Sequence, residues 1–211
     1  MKPGVGSRSL FNSDEKKSIL GLGGILFFRM YGLFLVLPVF SALAMELEQA
    51  SPLLIGIAFG AYGVTQGLLQ VPYGMLSDRI GRKPVIMGGL LIFVMGSVMA
   101  AVTDSVYWMI AARFLQGAGA VSSAIFALIA DLTRPEVRTR ANAFLGGSIG
   151  ISFGIAILSA PFLSQAYGLE GLFWLISAIT MLSMGILLKG IPEGRYAKKL
   201  VEPETATKMQ V

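Results

Sequence analysis

Residues 74–84 read GMLSDRIGRKP and separate two long apolar stretches of the chain. Four charged residues lie close together in it: Asp78, Arg79, Arg82 and Lys83. Gly81 can adopt the left-handed backbone conformation that a tight reversal requires. Pro84 suits the first turn of a following helix, where a missing N–H costs little. Because Asp78 and Arg82 lie four positions apart, they can pair across the turn. The stretch therefore predicts a short charged hairpin at a membrane surface.

The composition is that of a chain surrounded mostly by lipid, with 55% hydrophobic and 14% charged residues among 211. About twenty apolar residues span a bilayer as a helix. Six segments qualify, at about 18–43, 52–76, 85–103, 106–130, 141–164 and 171–190. The predicted fold class is all-α, a polytopic membrane protein with a six-helix bundle over 18–190. Residues 1–17 are expected to form a cytoplasmic tail, and residues 191–211 a disordered cytoplasmic tail.

The positions of Lys and Arg predict the orientation of the chain. If the N-terminus is cytoplasmic, every Lys and Arg except Arg29 and Arg113 falls in a cytoplasmic segment. The predicted outer loops carry no Lys or Arg, and their charged residues are all acidic: Glu46, Glu48, Asp104 and Glu170. This is the positive-inside distribution. We therefore expect a multi-pass protein of a bacterial inner membrane with both termini cytoplasmic. The net charge of +5 reflects orientation, and no nucleic-acid partner is expected.

Several classes of activity are not expected. The chain has no Cys and no His, which removes thiol chemistry and the commonest metal ligand. It contains no G-x-x-x-x-G-K-[ST] loop, so direct use of ATP is not expected. No paired carboxylates lie deep in the predicted helices, so an intramembrane enzyme is not expected either. We predict no catalytic residues, no metal site and no bound cofactor.

Two arginines lie inside predicted membrane helices. Arg29 is about eleven residues, or about 16 Å, from the cytoplasmic start of its segment. Arg113 is about seven residues, or roughly 10 Å, from the outer end of its segment. An arginine at such a depth must face protein or water. Each arginine also has an alternative without a functional role. If its helix started later, Arg29 would be an end residue whose side chain reaches the membrane interface. Arg113 would pair only with a main-chain carbonyl.

Polar side chains on several helices suggest a cavity for a small organic or amphipathic substrate. Tyr62, Gln66 and Gln70 recur at helical spacing, and they either line a cavity or satisfy one another. The candidate cavity residues are Tyr31, Tyr62, Gln66, Gln70 and Asn142, together with Arg29, Arg113 and Gln116.

Two predicted helices carry glycines at helical spacing. Faces made of small residues allow membrane helices to approach closely. We interpret both faces as helix-packing seams or sliding surfaces, formed by Gly56, Gly60, Gly63 and Gly67 in the second segment and by Gly146, Gly150, Gly154 and Pro161 in the fifth.

Two motifs resemble those of the major facilitator superfamily of secondary transporters. The pattern G-x-L-x-D-R-x-G-R-K over residues 74–83 resembles the signature loop between the second and third helices of that family. The run R-x-x-Q-G-x-G beginning at Arg113 is similar to the fourth-helix motif, whose arginine is linked to proton coupling in proton-driven members. Over residues 20–190 the chain resembles the N-terminal half of a drug/proton antiporter-like member. The Gly-Pro that closes the fifth helix of antiporters is Ala160-Pro161 here.

The resemblance implies a fold and a mechanism. The six helices would form a 3+3 inverted repeat, with the substrate site between this half and a second six-helix half. Asp131 would lie on the same surface as the signature loop, where a cluster with Gly74, Asp78, Arg79, Gly81, Arg82 and Lys83 would gate the transporter. The alternative is a solvated salt bridge of about 0–1 kcal/mol. Arg29, Arg113 and Gln116 would serve proton coupling or the cavity.

The expected function is proton-coupled export of small organic or amphipathic compounds by alternating access, driven by a proton gradient. The expected partners are the lipid bilayer, a small-molecule substrate and a second half. The alternative is a half-length membrane protein that does not transport and pairs with another six-helix chain.

Overall fold

A computed structural model describes residues 11–192, and this part of the chain is a bundle of α-helices. The helices are α1 Ser13–Val36, α2 Phe40–Leu43, α3 Pro52–Ile80, α4 Arg82–Ala101, α5 Val106–Ala118, α6 Ser122–Leu132 and α7 Arg138–Gly190, with 3₁₀ turns at Ala44–Glu46 and Pro135–Val137. The first helix begins five residues earlier than predicted, inside the expected tail. Most of the two predicted tails, residues 1–10 and 193–211, lies outside the described residues.

By length and composition, five helical stretches of the described residues can cross a membrane: Ser13–Val36, Pro52–Ile80, Arg82–Ala101, Val106–Leu132 and Pro135–Gly190. The last is about twice as long as a bilayer requires. Gly168 interrupts it with φ 62° and ψ −171°, a conformation that favours glycine. The predicted segments 141–164 and 171–190 lie on either side of this residue.

The chain reverses direction at Gly168. Moving along α1 from its start to its end, the contacting residues before Gly168 have increasing residue numbers. The contacting residues after Gly168 have decreasing residue numbers. The pairs in contact are Gly23–Phe144, Tyr31–Ser159, Gly32–Ile176 and Gly21–Ile191. The two arms of α7 therefore run antiparallel, and both pack against α1.

Two of the predicted spans, 18–43 and 106–130, are interrupted in the structure. α1 ends at Val36, because Pro38 lacks the N–H that a continuing helix needs. The fourth span is divided at residues 119–121 into α5 and α6. Gly119, the C-cap of α5, has φ −77° and ψ 44°, which ends the helical hydrogen bonding.

The predicted hairpin is nearly all helix. α3 continues to Ile80 and α4 starts at Arg82, which leaves only Gly81 between them. Gly81 has φ 102°, as the sequence predicted for the reversal. Because the turn is one residue long, the charged residues of the signature stretch lie on the ends of α3 and α4 rather than in a loop.

The helices enclose two hydrophobic clusters stacked along the bundle. One is centred on Phe40, Phe93 and Phe173, and the other on Leu22, Ile86 and Ile125. α3 takes little part in either cluster. Only 22% of its most apolar 18-residue stretch is buried, against 56% of the corresponding stretches of α1 and α4. α3 and the first arm of α7 thus present broad apolar faces that nothing in residues 11–192 covers. We call them the open faces.

Candidate functional site

The charges of the signature stretch form a cluster with the end of α6. Arg82 forms ion pairs with Asp78 through Nη2 at 2.5 Å and with Asp131 through Nε at 3.2 Å. Its Nη1 donates to Ser77 Oγ at 2.6 Å. The Arg82 side chain is 12% exposed, whereas those of Asp78 and Asp131 are 57% and 27% exposed. One largely buried guanidinium therefore joins the end of α3, the start of α4 and the end of α6.

The other members of the signature stretch have separate surroundings. Lys83 Nζ donates to the main-chain carbonyl of Ile191 at 2.7 Å, which ties α4 to the residue after α7. Arg79 is exposed. Gly74 packs against Ser123 of α6, and its carbonyl accepts a 2.7 Å hydrogen bond from Ser77. Gly74 thus lies at the interface of α3 and α6, whereas Lys83 contacts the end of α7 and Arg79 lies on the surface.

Arg29 lies fully inside the bundle. Its Nη2 donates to the carbonyl of Gly119 at 2.6 Å and to Gln66 Oε1 at 3.3 Å. The same carbonyl, in the break between α5 and α6, also accepts from the N–H of Val121 at 2.9 Å. Its Nη1 donates to Tyr62 Oη at 3.3 Å. The guanidinium also lies 5.0 Å from the ring centre of Phe93. The arginine of α1 therefore holds the broken fourth span against α3 and α4.

Arg113 is linked to α4 by a relay of side chains. It donates to Gln116 Oε1 at 2.7 Å, Gln116 donates to Ser97 Oγ at 2.8 Å, and Ser97 donates to the carbonyl of Phe93 at 2.7 Å. The Arg113 guanidinium lies 4.7 Å from the ring of Tyr62 and 5.3 Å from that of Phe40. Neither Arg113 nor Arg29 forms an ion pair with any residue in 11–192.

A role of these residues in lining a cavity stays a prediction, and within residues 11–192 their side chains are buried. Arg29, Arg113 and Gln116 are 0%, 2% and 1% exposed, and Tyr62 is 4% exposed. Neighbouring helices bury all four side chains. α5, which carries Arg113 and Gln116, packs between α3 and α4, and Arg29 of α1 reaches into the same interior. Spacing along one helix could not show which face its neighbours cover.

The remaining cavity candidates lie apart from this interior group or at its edge. Gln66 is partly buried beside Arg29. Tyr31 Oη lies 2.9 Å from Ser159 Oγ on the first arm of α7, and Gln70 accepts from Ser123 through its main-chain carbonyl. Asn142 is exposed. The structure does not bring these side chains together into one site within the described residues.

The predicted packing glycines do not pack within this chain. A Cβ atom added to any of Gly56, Gly60, Gly63, Gly67, Gly146, Gly150 and Gly154 would have no neighbouring atom within 4 Å. Pro161 is exposed on the same arm of α7. These glycines lie on the open faces, so their role as packing seams or sliding surfaces stays a prediction.

Several residues that complete these interactions were missed by the sequence analysis. Ser77 is fully buried and bonds Arg82, and its position inside the signature stretch was the available signal. Phe93 and Ser97 gave no signal, because they resemble the other residues of an apolar helix. Glu15 and Arg134 were also missed, although they form a bidentate ion pair at 2.8 and 3.1 Å.

The two ends of the bundle differ in charge. The basic end contains the cluster, the start of α1, the end of α6 and both termini of α7, with Arg79, Arg82, Lys83, Arg134, Arg138, Arg140 and Lys189. At the acidic end a cavity of about 390 Å³ is lined by Glu46, Glu48, Asp104 and Glu170 among others. This separation matches the sequence pattern from which the orientation was predicted.

A bundle of membrane-length helices with a charged turn tied to a neighbouring helix end is the arrangement of a polytopic membrane protein. The sequence model of the family described as the Major Facilitator Superfamily matches residues 22–210, and the chain belongs to this family.

Several bacterial relatives of this chain are named as transporters. The chain is 44% identical over 203 residues to the inner membrane transport protein YajR of Escherichia coli (strain K12), covering 90% of this chain and 45% of that protein. It is 36% identical to an uncharacterized transporter, BU466, of Buchnera aphidicola, covering 93% and 50%. Multidrug resistance protein D of Escherichia coli is 39% identical over 95 residues, which are 44% of this chain and 24% of that protein.

Solved structures share the fold. The human organic anion transporter MFSD10 superposes with a TM-score of 0.74 at 21% identity, covering 86% of this chain and 49% of that one. The POT family transporter PepTSo superposes with a TM-score of 0.73 at 16% identity, covering 83% of this chain and 38% of that one. The chain thus spans about half the length of the relatives it matches.

Proposed function

We propose that this chain is the N-terminal half of a proton-coupled secondary transporter that exports small organic or amphipathic compounds by alternating access. The observation that carries the proposal is the position of Arg82 between Asp78 and Asp131. This contact joins the α3–α4 turn to the end of α6 at one end of the bundle. Breaking it frees the helix ends to move, which alternating access requires. We assign the cluster to gating for this reason.

The proposed architecture has six spans in a 3+3 inverted repeat. The reversal at Gly168 supports two spans within α7, because the arms before and after it run antiparallel. The open faces support a second six-helix half as the partner. The same faces favour the alternative function, a half-length protein that pairs with a separate six-helix chain without transporting.

The driving force that we propose is a proton gradient, with no bound cofactor. The acidic side chains among residues 11–192 lie at helix ends or in the connections between helices. The proton-accepting group is therefore a carboxylate of the cluster or of the second half. Arg113 is the proposed coupling residue, because its guanidinium is buried without an ion-pair partner in the described residues and matches the motif arginine. Multidrug resistance proteins among the relatives support export of organic compounds.

The coupling role of Arg113 can be tested with the full-length transporter in proteoliposomes. Under an imposed proton gradient, Arg113→Ala is expected to abolish uphill movement of a panel of amphipathic dyes while the protein stays in the membrane. Arg113→Lys keeps the charge but loses the planar donor geometry, so a partial rate is expected. Uphill transport by the alanine variant at the native rate would overturn the role. Co-purification of this chain with a separate six-helix chain, in a complex that does not transport, would favour the half-length alternative.

The proposed location is a bacterial inner membrane, with N- and C-termini in the cytoplasm. Single cysteines at Glu48, Asp104 and Gly168 are expected to react with an impermeant thiol reagent added outside intact cells. Cysteines at Arg79 and Thr139 are expected to remain unlabelled. The background is clean, because the chain has no cysteine. Labelling at Arg79 from outside would contradict the orientation.

A further inference from the structure

At the basic end, a second ion pair lies close in sequence to the gating cluster. Glu15, in the first turn of α1, accepts from Arg134 Nε at 2.8 Å, from Arg134 Nη2 at 3.1 Å and from the main-chain N–H of Arg134 at 3.1 Å. The N–H of Asn12 also donates to Glu15 at 2.8 Å. The Glu15 side chain is 6% exposed. This carboxylate therefore has fixed donors on both oxygens.

Arg134 follows directly on the end of α6. Asp131 lies in the last turn of that helix, Thr133 is its C-cap, and Arg134 is extended with φ −66° and ψ 149°. Thr133 is 1% exposed and donates to the carbonyl of Ile129 at 2.7 Å. Pro135 starts the next turn and has no N–H to continue α6. The two residues between Asp131 and Arg134 thus have little freedom once Glu15 holds Arg134.

We propose that Glu15 and Arg134 are positioning residues that hold Asp131 in reach of Arg82, so that the first turn of α1 belongs to the gating machinery. Five groups then follow one another with alternating charge, in the order Asp78, Arg82, Asp131, Arg134 and Glu15. Bidentate pairing of an arginine with a carboxylate fixes direction as well as distance. Moving the start of α1 would therefore shift the end of α6 and weaken the contact of Asp131 with Arg82.

This inference rests on the proposed function, but its test does not need transport. The energetic coupling between Arg82 and Asp131 is obtained from melting temperatures of Arg82→Gln, Asp131→Asn and the double variant of the purified full-length protein. The same cycle is then measured in a Glu15→Gln background. We expect non-additive shifts in the native background and a coupling reduced to roughly half or less with Glu15→Gln.

Two comparisons separate positioning from general loss of stability. Asp14 is an exposed carboxylate on the same turn, and Asp14→Asn should leave the coupling unchanged. Arg134→Lys should retain part of the coupling and Arg134→Gln should lose it, which keeps the test available if Glu15→Gln does not fold. An unchanged coupling in either the Glu15→Gln or the Arg134→Gln background, even with a lower melting temperature, would overturn the proposal. Intact coupling in a protein without transport would overturn the proposed function alone.

Discussion

Two sets of glycines in this chain look alike in sequence and differ in the structure. Gly89, Gly96, Gly117 and Gly119 lie where α5 packs between α3 and α4. A Cβ at Gly96 would lie 2.6 Å from the main-chain nitrogen of Gln116 and 2.9 Å from the carbonyl of Ala112. The glycines of the open faces, such as Gly60 and Gly63, have nothing within 4 Å.

The difference shows that small-residue spacing marks a surface for close approach without telling what approaches it. In the packed set, the approaching groups are backbone and side chains of this chain, and the site of Arg29 and Arg113 is built on them. In the open set, no residue of 11–192 covers the apolar faces, which are available to lipid or to another set of helices. The two sets should therefore respond differently to an added side chain.

The largest effect is expected at the packed glycines. Gly96→Ala places a methyl group against the backbone of α5, which cannot move without shifting the whole helix. Overpacking of this kind typically costs about 1–3 kcal/mol. Gly60→Ala is the matched control, and it should be neutral or stabilising by up to about 1 kcal/mol, because alanine favours helix. Thermal unfolding in detergent measures both, and equal melting temperatures would remove the distinction between the two sets.

A smaller effect should separate the two arginines of the packed region. Arg29→Lys leaves at least one of its three acceptors, Gly119, Gln66 and Tyr62, without a donor, since an ammonium cannot reproduce the planar fork. An unsatisfied buried group costs about 1–3 kcal/mol.

Arg113 has one hydrogen bond, to Gln116, so Arg113→Lys should lower the melting temperature less than Arg29→Lys does. Melting curves of the two variants, purified in the same detergent, give the ranking. A larger loss at Arg113 would mean that its two aromatic contacts contribute more than the Gly119 contact.

The smallest effect on stability is expected on the open face of α3. Gly63→Leu should change the stability of the separate half by little, within about 0.5 kcal/mol in free energy, because a Cβ at this position has no atom of the described residues within 4 Å. It should nevertheless prevent association with a second six-helix half, scored by co-purification of the two halves expressed separately. Unimpaired association would mean that this face contacts lipid.

Much of the fold was predictable because the bilayer restricts what the chain can do. Apolar length predicted the membrane helices, and the charge asymmetry between predicted loops matches the charge asymmetry between the bundle's two ends. The signature stretch predicted the reversal at Gly81 and the pairing of Asp78 with Arg82. The order of the helices also predicted that Asp131 lies at the same surface, because that order decides at which end of the bundle each helix terminus lies. The break at residues 119–121 was not predictable, since an apolar run containing glycines is equally compatible with a continuous helix.

The sequence by itself determined which segments meet lipid, where the chain turns and which residues carry charge, because these follow from local composition and from the cost of exposing polar groups to hydrocarbon. The tertiary structure alone decided which faces are covered. It buried Arg29 and Arg113 inside the bundle, left the glycines of α3 and α7 uncovered, and joined Glu15 to Arg134 across 119 positions of sequence. Contacts over such separations depend on how helices rotate about their axes and pack, and no local pattern specifies that rotation.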